Sequence, residues 1–230
     1  SRSGKKLGDI KALDGLVKDG LTDVYNDKHM GLCAETCANE MNFSREEQDK
    51  FAIESYTKSA NAWKHEKFKD EIVNVEVPTR KGDNLIIIED EEYKKVILEK
   101  IPNLRPVFAK DGTITAANAS TINDGASALV LMSLEKANEL NLKPLAKIIS
   151  YADAAHEPEW FTTAPSNAVE NALNKGKISK KDVDYFELNE AFSVVGLANI
   201  KLLDIDSQKV NVNGGAVALG HPLGSSGSRI

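Results

Sequence analysis

Residues 211–227 read NVNGGAVALGHPLGSSG and place one histidine, His221, among five glycines. Glycine reaches backbone conformations that other residues avoid, and it lets a ligand approach the main chain closely. A loop of this kind could cradle an anion, hold a thioester or simply turn the chain. The remainder of the sequence has to decide between these possibilities.

The second half of the chain alternates between predicted strands and predicted helices. Apolar runs favour strands, and amphipathic runs between them favour helices. The predicted strands are residues 127–133, 144–155, 184–188 and 209–214, and the predicted helices are residues 134–141, 165–176 and 189–203, with a further helix after His221. This alternation predicts an α/β fold with a layered sheet.

The first 105 residues lack this alternation. Ser44 and Glu47 have the spacing of a capping box and predict the start of a long helix. The apolar residues at helical spacing that follow are Ala52, Tyr56, Ala60 and Trp63. Residues 31–41 predict another helix, and residues 71–78 and 84–90 predict two short strands. Residues 1–105 are therefore interpreted as a separate α+β insertion.

Composition limits the classes of function. The 230 residues are 41% hydrophobic and 28% charged, and the formal net charge is −6. A nucleic-acid-binding protein usually carries a basic surplus, so no nucleic-acid partner is expected. Since no apolar run is long enough to cross a bilayer, no membrane partner is expected either. The N-terminal residues SRSGKKLGDI contain no apolar segment and are not expected to be a signal peptide.

The two cysteines, Cys33 and Cys37, lie four residues apart on a predicted helix. This spacing is not that of a disulfide framework, and a zinc site would need further ligands. We therefore interpret both as small, mostly buried residues.

Two junctions between a predicted strand and a predicted helix carry polar side chains. Asn189 and Glu190 follow the strand at 184–188, and His221 lies beyond the strand at 209–214. Ligands in α/β proteins gather at the carboxyl ends of strands, so Asn189 and His221 are candidates for one pocket. The structural alternatives are a helix cap for Asn189 and Glu190, and a simple turn with a structural histidine for the glycine-rich segment.

The motifs NEAF (189–192) and NGGAVALGHPLGSSG (213–227), with TAANASTINDGA (115–126) upstream, resemble the thiolases. The segments DGLTDVYNDKHMG (19–31) and FAIESYTKSA (51–60) are similar to the loop domain of acetoacetyl-CoA thiolases. The resemblance covers essentially the whole chain. It implies a layered α-β-α-β-α fold with an inserted α+β loop domain. The implied parts are a coenzyme A-binding loop domain (1–105), the end of the N-terminal domain (106–143) and an incomplete C-terminal domain (144–230).

The resemblance also implies an activity. Thiolases condense two acetyl-CoA molecules to acetoacetyl-CoA and coenzyme A, and catalyse the reverse thiolysis, through an acetyl-cysteine intermediate. By resemblance His221 activates the nucleophilic cysteine and donates to a thioester oxygen, and Asn189 holds a water that is the partner donor. The alternative is a catalytically inactive, coenzyme A-binding, thiolase-like fragment.

Further residues match binding positions of the family. Ser120 matches a serine that touches the pantetheine arm of coenzyme A, and His29 and Met30 match a pair that lines the pantetheine tunnel. Lys95 and Lys100 match the family most loosely. They correspond to positions near the nucleotide end of coenzyme A, where a cationic side chain suits phosphate.

The potassium-activated thiolases provide a second set of matches. Tyr56 and the carbonyls of Ala116, Ala117, Ala119 and Val217 match their potassium site, and all-oxygen ligation suits a hard cation. Tyr56 is equally interpreted as a core residue of its helix.

The cysteines of the family are the main departure. The nucleophilic cysteine and the second, proton-transferring cysteine belong to motifs that this chain does not contain, and neither Cys33 nor Cys37 matches them. We therefore expect a fragment that is inactive by itself, from a protein that forms homodimers or homotetramers. The segments NEAFSVVGLANIK (189–201) and AAHEPEWFTTAPS (154–166) are similar to the eukaryotic biosynthetic branch, which supplies sterol precursors. We therefore expect a cytoplasmic location, with mitochondrial and peroxisomal locations left open.

Overall fold

The computed structural model describes residues 8–9, 11–80 and 82–230 and consists mainly of helices joined by irregular segments. The α-helices are α1 (Met30–Glu40), α2 (Arg45–Lys64), α3 (Glu92–Lys95), α4 (Leu134–Glu139), α5 (Ala164–Gly176), α6 (Ser193–Leu203), α7 (Ala216–Leu219) and α8 (Ser226–Arg229). The strands are β1 (Thr22–Asp23), β2 (Lys28–His29), β3 (Val75–Val77) and β4 (Leu85–Ile87). A π-helical turn lies at Leu16–Gly20, and 3₁₀ turns lie at Lys69–Glu71, Leu98–Asn103, Pro158–Trp160, Lys180–Asp182 and Ser207–Lys209.

The long helix α2 begins with the predicted capping box. The Ser44 hydroxyl accepts from the Glu47 backbone N–H at 3.1 Å, and the Glu47 carboxylate accepts from the Ser44 N–H at 2.8 Å. Each contact satisfies a backbone donor that the first turn of a helix leaves free.

The buried face of α2 differs from the predicted stripe. Ala52 and Tyr56 are buried as expected, but Ala60 is exposed, and Ser55 and Ser59 are buried instead. Both serines face the glycine-rich segment: the Ser55 hydroxyl accepts from the Gly215 N–H at 3.1 Å, and Ser59 Oγ lies against Gly214. This packing of α2 against α7 positions the glycine-rich segment.

A second packing region joins α1 to α6. Its buried members are Ala34, Cys37, Ala38, Ile114, Phe192, Val194, Val195 and Ala198. Cys33 and Cys37 are both buried free thiols, which confirms their interpretation as small core residues. No helix in the described ranges combines the length and apolar character that a membrane crossing would need.

The first-half strands are found in shortened form. β3 and β4 pair antiparallel, with Val75 opposite Ile87 and Val77 opposite Leu85. They lie inside the predicted segments 71–78 and 84–90.

The second-half strands differ from the prediction. Residues 127–133 and 144–155 are in neither strand nor helix, and most of their apolar side chains are exposed, with Val130 at 85%. A strand requires a hydrogen-bonded neighbour, and no described residues form a ladder with either segment. Residues 184–188 and 209–214 meet at one parallel bridge, Phe186 to Val210, which is the beginning of a parallel ladder.

Helix α6 begins later than predicted. Its N-cap is Phe192, in extended conformation and without a side-chain cap bond. Asn189 and Glu190 therefore do not cap this helix, and the cap alternative is wrong. Residues 191–193 are held instead by a neighbouring segment, since Ser193 N–H donates to Asn118 C=O at 2.8 Å and Ser120 N–H donates to Ala191 C=O at 3.0 Å.

Candidate active site

His221 follows a sharp turn at the end of α7. The turn residue, Gly220, has φ +87°, a conformation that residues with a side chain rarely adopt. A Cβ added at this position would lie 2.2 Å from Asn123 Oδ1. The turn brings the His221 N–H to 2.9 Å from the Thr121 carbonyl, so the segment that follows Ser120 fixes the histidine backbone.

Both ring nitrogens of His221 have polar neighbours. Nδ1 lies 2.6 Å from Ser226 Oγ, and Nε2 lies 3.3 Å from Asn189 Nδ2. Partial burial lowers the pKa of His221, which favours the neutral imidazole near neutral pH. A neutral imidazole in contact with an amide can serve as a base or, once protonated, as a hydrogen-bond donor.

Asn189 has an unused acceptor. Its Nδ2 faces His221, while its Oδ1 is buried and no described group lies within hydrogen-bonding distance of it. A buried polar atom without a partner in the chain commonly bonds to a water or a ligand. The two residues that the sequence proposed for one pocket are thus in contact.

Glu190 occupies the buried side of the same loop and is 1% exposed. Its carboxyl group accepts from Ser55 Oγ at 2.7 Å, Asn211 Nδ2 at 2.7 Å and Val217 N–H at 3.2 Å. Burial raises the pKa of Glu190, and these hydrogen bonds oppose the increase. The absence of a side chain at Gly215 makes room for this carboxyl, since a Cβ there would lie 2.2 Å from Glu190 Cδ. Glu190 therefore ties the NEAF loop to α2 and to the glycine-rich segment.

Ser226 and the structural role of Glu190 were missed from sequence. Ser226 reads as one of several small polar residues in GSSGS, and Glu190 reads as a cap. A usable signal was the five-residue separation of Ser226 from His221, because it allows the chain to turn back on the ring.

Ser120 lies beside the His221–Asn189 pair. Its Oγ and its N–H both contact the Ala191 carbonyl at 3.0 Å, and the next residue, Thr121, accepts from the His221 N–H. The segment 119–123 therefore runs between the NEAF residues 189–192 and the loop that carries His221.

The residues matched to a potassium site are partly brought together. Tyr56, Ala117 and Val217 belong to one buried cluster. Ala119 packs against the α1–α6 region instead, and Ala116 is exposed. Burial, with Glu92 and Glu190 nearby, raises the pKa of Tyr56 to about 12, so its phenol is neutral. Tyr56 is therefore a core residue, and its side chain with the neutral phenol belongs to the same cluster as Ala117 and Val217.

His29 and Met30 lie at the beginning of α1. His29 Nδ1 accepts from the Gly31 N–H at 3.0 Å, and its ring stacks on Phe108 at 4.8 Å. Phe108 in turn meets Phe192 edge-on at 6.1 Å, which connects His29 to the end of the NEAF motif. Met30 packs against the α1–α6 region.

The two lysines matched to the nucleotide end are both exposed. Lys95 forms an ion pair with Glu92 at 2.6 Å, and Glu92 also accepts from Asn123 Nδ2 at 3.1 Å. Lys100 lies on the 3₁₀ turn Leu98–Asn103. Asn123 also accepts from the His221 N–H at 3.3 Å, so Lys95 is connected to the His221 backbone through Glu92 and Asn123. Lys100 lies on a neighbouring turn.

Comparisons with known proteins place this geometry in context. The family described as thiolase, N-terminal domain, matches residues 1–135, and the family described as thiolase, C-terminal domain, matches residues 142–230. A probable acetyl-CoA acetyltransferase of Dictyostelium discoideum is 56% identical over 229 residues, covering 100% of this chain and 55% of the relative. The mitochondrial acetyl-CoA acetyltransferase of Mus musculus is 55% identical over 231 residues, covering 100% of this chain and 54% of the relative.

Solved structures agree with the sequence relatives. The Acat5 thiolase from Ascaris suum in complex with coenzyme A has a TM-score of 0.92 at 50% identity, covering 100% of this chain and 59% of that chain. The Bacillus anthracis acetyl-CoA acetyltransferase has a TM-score of 0.94 at 40% identity, covering 99% of this chain and 58% of that chain. The predicted fold class is thereby confirmed. The chain spans about half the length of the curated relatives it matches.

The predicted cytoplasmic location is wrong by the same comparisons. Relatives at 53% to 55% identity from Mus musculus, Bos taurus and Rattus norvegicus are named mitochondrial acetyl-CoA acetyltransferases.

Proposed function

Because the chain belongs to the thiolase family, we propose that it forms part of an acetyl-CoA C-acetyltransferase. This enzyme condenses two acetyl-CoA molecules to acetoacetyl-CoA and coenzyme A, and runs the reverse thiolysis, through an acetyl-cysteine. The observation that carries the proposal is the contact of His221 Nε2 with Asn189 Nδ2 at 3.3 Å, beside a buried Asn189 Oδ1 that lacks a partner among the described residues.

His221 acts as the base in the first step. The neutral imidazole favoured by its lowered pKa takes the proton of the nucleophilic cysteine at Nε2, and the thiolate attacks the thioester carbon of acetyl-CoA. The carbon–sulfur bond to coenzyme A breaks, the proton passes from Nε2 to the departing sulfur, and the acetyl group remains on the cysteine. The protonated ring is a donor to the thioester oxygen while negative charge develops there.

Asn189 supplies the second donor through a water. An asparagine side chain offers an N–H₂ donor and a carbonyl acceptor, and the free Oδ1 gives the water an anchor beside His221. Two donors that converge on one oxygen stabilise the transition state by several kcal/mol, on the order of 3 kcal/mol for each.

The nucleophile is neither of the cysteines in this chain. Burial, with Asp23 nearby, raises the pKa of the Cys33 thiol, and burial raises the pKa of the Cys37 thiol. A nucleophilic cysteine needs a lowered pKa and access to substrate. The proposed activity therefore belongs to the polypeptide that carries this chain together with the two cysteine motifs of the family, called the full-length protein below.

We propose that coenzyme A reaches this site along the residues that match binding positions of the family. Ser120 contacts the pantetheine arm, His29 and Met30 line its tunnel, and Lys95 and Lys100 face the phosphates. Support comes from the segment 119–123, which joins Ser120 to the His221 backbone, and from the exposed lysine cations, which suit phosphate. The Ascaris suum relative holds coenzyme A.

A potassium site is proposed at the turn beside Tyr56. The ligands are the carbonyls of Ala116, Ala117, Ala119 and Val217 with the phenol oxygen of Tyr56. Support comes from the shared cluster of Tyr56, Ala117 and Val217 and from the neutral phenol, since potassium prefers oxygen ligands. The cation orders the turn that leads into Ser120.

The remaining proposals concern assembly and direction. We propose a homodimer or homotetramer for the full-length protein, and synthesis of acetoacetyl-CoA for sterol precursors as one direction of its reaction. The alternative function is coenzyme A binding without catalysis, which the His221–Asn189 contact does not favour.

Trapping the intermediate tests the proposed function. The full-length protein is incubated with acetyl-CoA, quenched in acid and digested, and its cysteines are examined by mass spectrometry. One acetylated cysteine is expected, and His221→Ala is expected to slow its formation by about a hundredfold or more. A matched control is His65→Ala, because His65 is exposed and bonds only locally, to the Asn61 carbonyl at 2.8 Å. Binding of coenzyme A without any acetyl-cysteine would establish the alternative.

A further inference from the structure

The Nδ1 side of His221 faces a buried hydroxyl. Ser226, at the beginning of α8, is 4% exposed, and its Oγ lies 2.6 Å from Nδ1. The same Oγ lies 3.2 Å from the Pro222 carbonyl oxygen. The hydroxyl therefore has two neighbours and one proton to donate.

The neighbours decide the direction of each hydrogen bond. The Pro222 carbonyl can only accept, so the Ser226 O–H donates to it and the Ser226 oxygen accepts from Nδ1–H. On the other side of the ring, the Asn189 amide nitrogen can only donate, so Nε2 accepts. All three contacts are satisfied by one neutral tautomer, which carries its proton on Nδ1.

The opposite tautomer fits these neighbours poorly. A proton on Nε2 would point at the Asn189 N–H₂ group, and two donors would face each other. The Ser226 hydroxyl would also have to turn from Pro222 toward the ring. Since partial burial keeps the ring neutral, the choice between the two tautomers determines which nitrogen can take a proton.

We propose that Ser226 is a positioning residue that holds His221 in the Nδ1–H tautomer, with Nε2 unprotonated toward Asn189. The inference rests on the proposed function for its consequence: Nε2 is the atom that takes the thiol proton. The Nδ1–H bond to Ser226 is the same before and after that transfer, because both the neutral and the protonated ring carry a proton on Nδ1. The ring therefore keeps its bond to Ser226 while Nε2 gains the proton, and the Asn189 N–H₂ group, which donates to Nε2 in the neutral state, has to move off Nε2 as the thiol proton arrives.

The tautomer can be measured without any assay of activity. The full-length protein is labelled with ¹⁵N-histidine, and its ring nitrogens are observed by NMR at neutral pH. The His221 signals are assigned by their loss in His221→Gln. We expect Nδ1 to resonate as a protonated nitrogen and Nε2 as an unprotonated one. A wild-type spectrum with the proton on Nε2 overturns the proposal, even if every Ser226 variant fails to fold.

Variants of Ser226 then separate positioning from general structure. Ser226→Ala removes the acceptor and is expected to give a mixture of tautomers, whereas Ser226→Thr keeps the hydroxyl and is expected to keep the wild-type spectrum. Ser228→Ala is the matched control, because Ser228 lies on the same short helix, is exposed, and bonds to the Ser225 carbonyl at 3.0 Å.

Kinetics of the full-length protein give the second readout. Ser226→Ala is expected to lower kcat for thiolysis about fivefold to tenfold, as for one lost hydrogen bond, with KM unchanged and with recovery in Ser226→Thr. A single unchanged tautomer in Ser226→Ala, or an unchanged kcat, contradicts the proposal. An inactive wild-type protein would instead refute the proposed function, and the NMR result would still decide the tautomer.

Discussion

Replacing Glu190 with alanine tests whether its buried hydrogen bonds hold the site together. Three donors converge on this carboxyl: Ser55 Oγ at 2.7 Å, Asn211 Nδ2 at 2.7 Å and Val217 N–H at 3.2 Å. Glu190→Ala removes their shared acceptor in a region that is closed to solvent. A buried donor left without a partner costs about 1–3 kcal/mol.

The magnitude follows from which donors can find new partners. The Ser55 hydroxyl can rotate, but the Val217 N–H is fixed by the backbone, and Asn211 is held by bonds to Leu188 N–H and C=O, both at 2.8 Å. Two donors therefore stay unpaired. We expect Glu190→Ala to lower the free energy of unfolding by about 3–5 kcal/mol, which is a large part of the total for an ordinary domain.

A glutamine at this position gives the intermediate case. Its side chain keeps the shape of glutamate, but its N–H₂ group must face either Asn211 Nδ2 or the pair formed by Ser55 and Val217. One donor then opposes another, so we expect Glu190→Gln to lower the free energy of unfolding by about 1–3 kcal/mol.

Urea unfolding monitored by circular dichroism measures both variants. The control is Glu170→Ala, because Glu170 lies on the exposed side of α5. We expect the control to stay within about 0.5 kcal/mol of the wild type. If Glu190→Ala also stays within that range, the buried network does not stabilise the loop, and the reasoning is refuted.

Three further predictions concern other groups of the site. Burial, with Glu190 and Glu71 nearby, raises the pKa of Glu187 from 4.5 to about 7, although part of its side chain surface is exposed. The stability that Glu187 contributes is therefore complete below pH 4.5 and is lost as pH rises through about 7. When the midpoint of urea unfolding is plotted against pH, Glu187→Gln should flatten the curve between these two pH values. A curve that is the same as that of the wild type contradicts the prediction. Potassium should raise thiolysis by the full-length protein relative to sodium, and Tyr56→Phe should remove the difference; equal rates in both salts would eliminate the cation site. Acetyl-CoA should leave Cys33 and Cys37 unacetylated in mass spectra, because burial raises the pKa of both thiols, and acetylation of either one that depends on His221 would relocate the nucleophile.

Local signals predicted the helices well. The capping box at Ser44 and Glu47 acts within the first turn of α2, so a short stretch of sequence contains the whole cause. The apolar stripe of α2 was only partly right, because Ser55 and Ser59 are buried and Ala60 is exposed. The second-half strands could not be predicted in the same way. Residues 127–133 have the composition of a buried strand, but a strand forms only beside a partner that lies elsewhere in the chain.

The candidate site was predictable in part. The contact between Asn189 and His221 followed from the positions of both residues after neighbouring strands, and Phe186 and Val210 of those strands do meet at a parallel bridge. The role of Glu190 was not predictable, because its partners come from segments 21 to 135 residues away. Ser226 was missed because composition does not distinguish the serines of this run, and its separation of five residues from His221 was the one signal that could have singled it out.

The rate of acetoacetyl-CoA thiolysis by the full-length protein with His221→Ala tests the central claim most directly. Loss of the base and of one oxyanion donor should lower kcat by about a hundredfold or more, while coenzyme A binding, measured by calorimetry, stays close to that of the wild type. His65→Ala should retain the wild-type rate. A His221→Ala protein with near-normal kcat would contradict the assignment of His221, and with it the proposed active site.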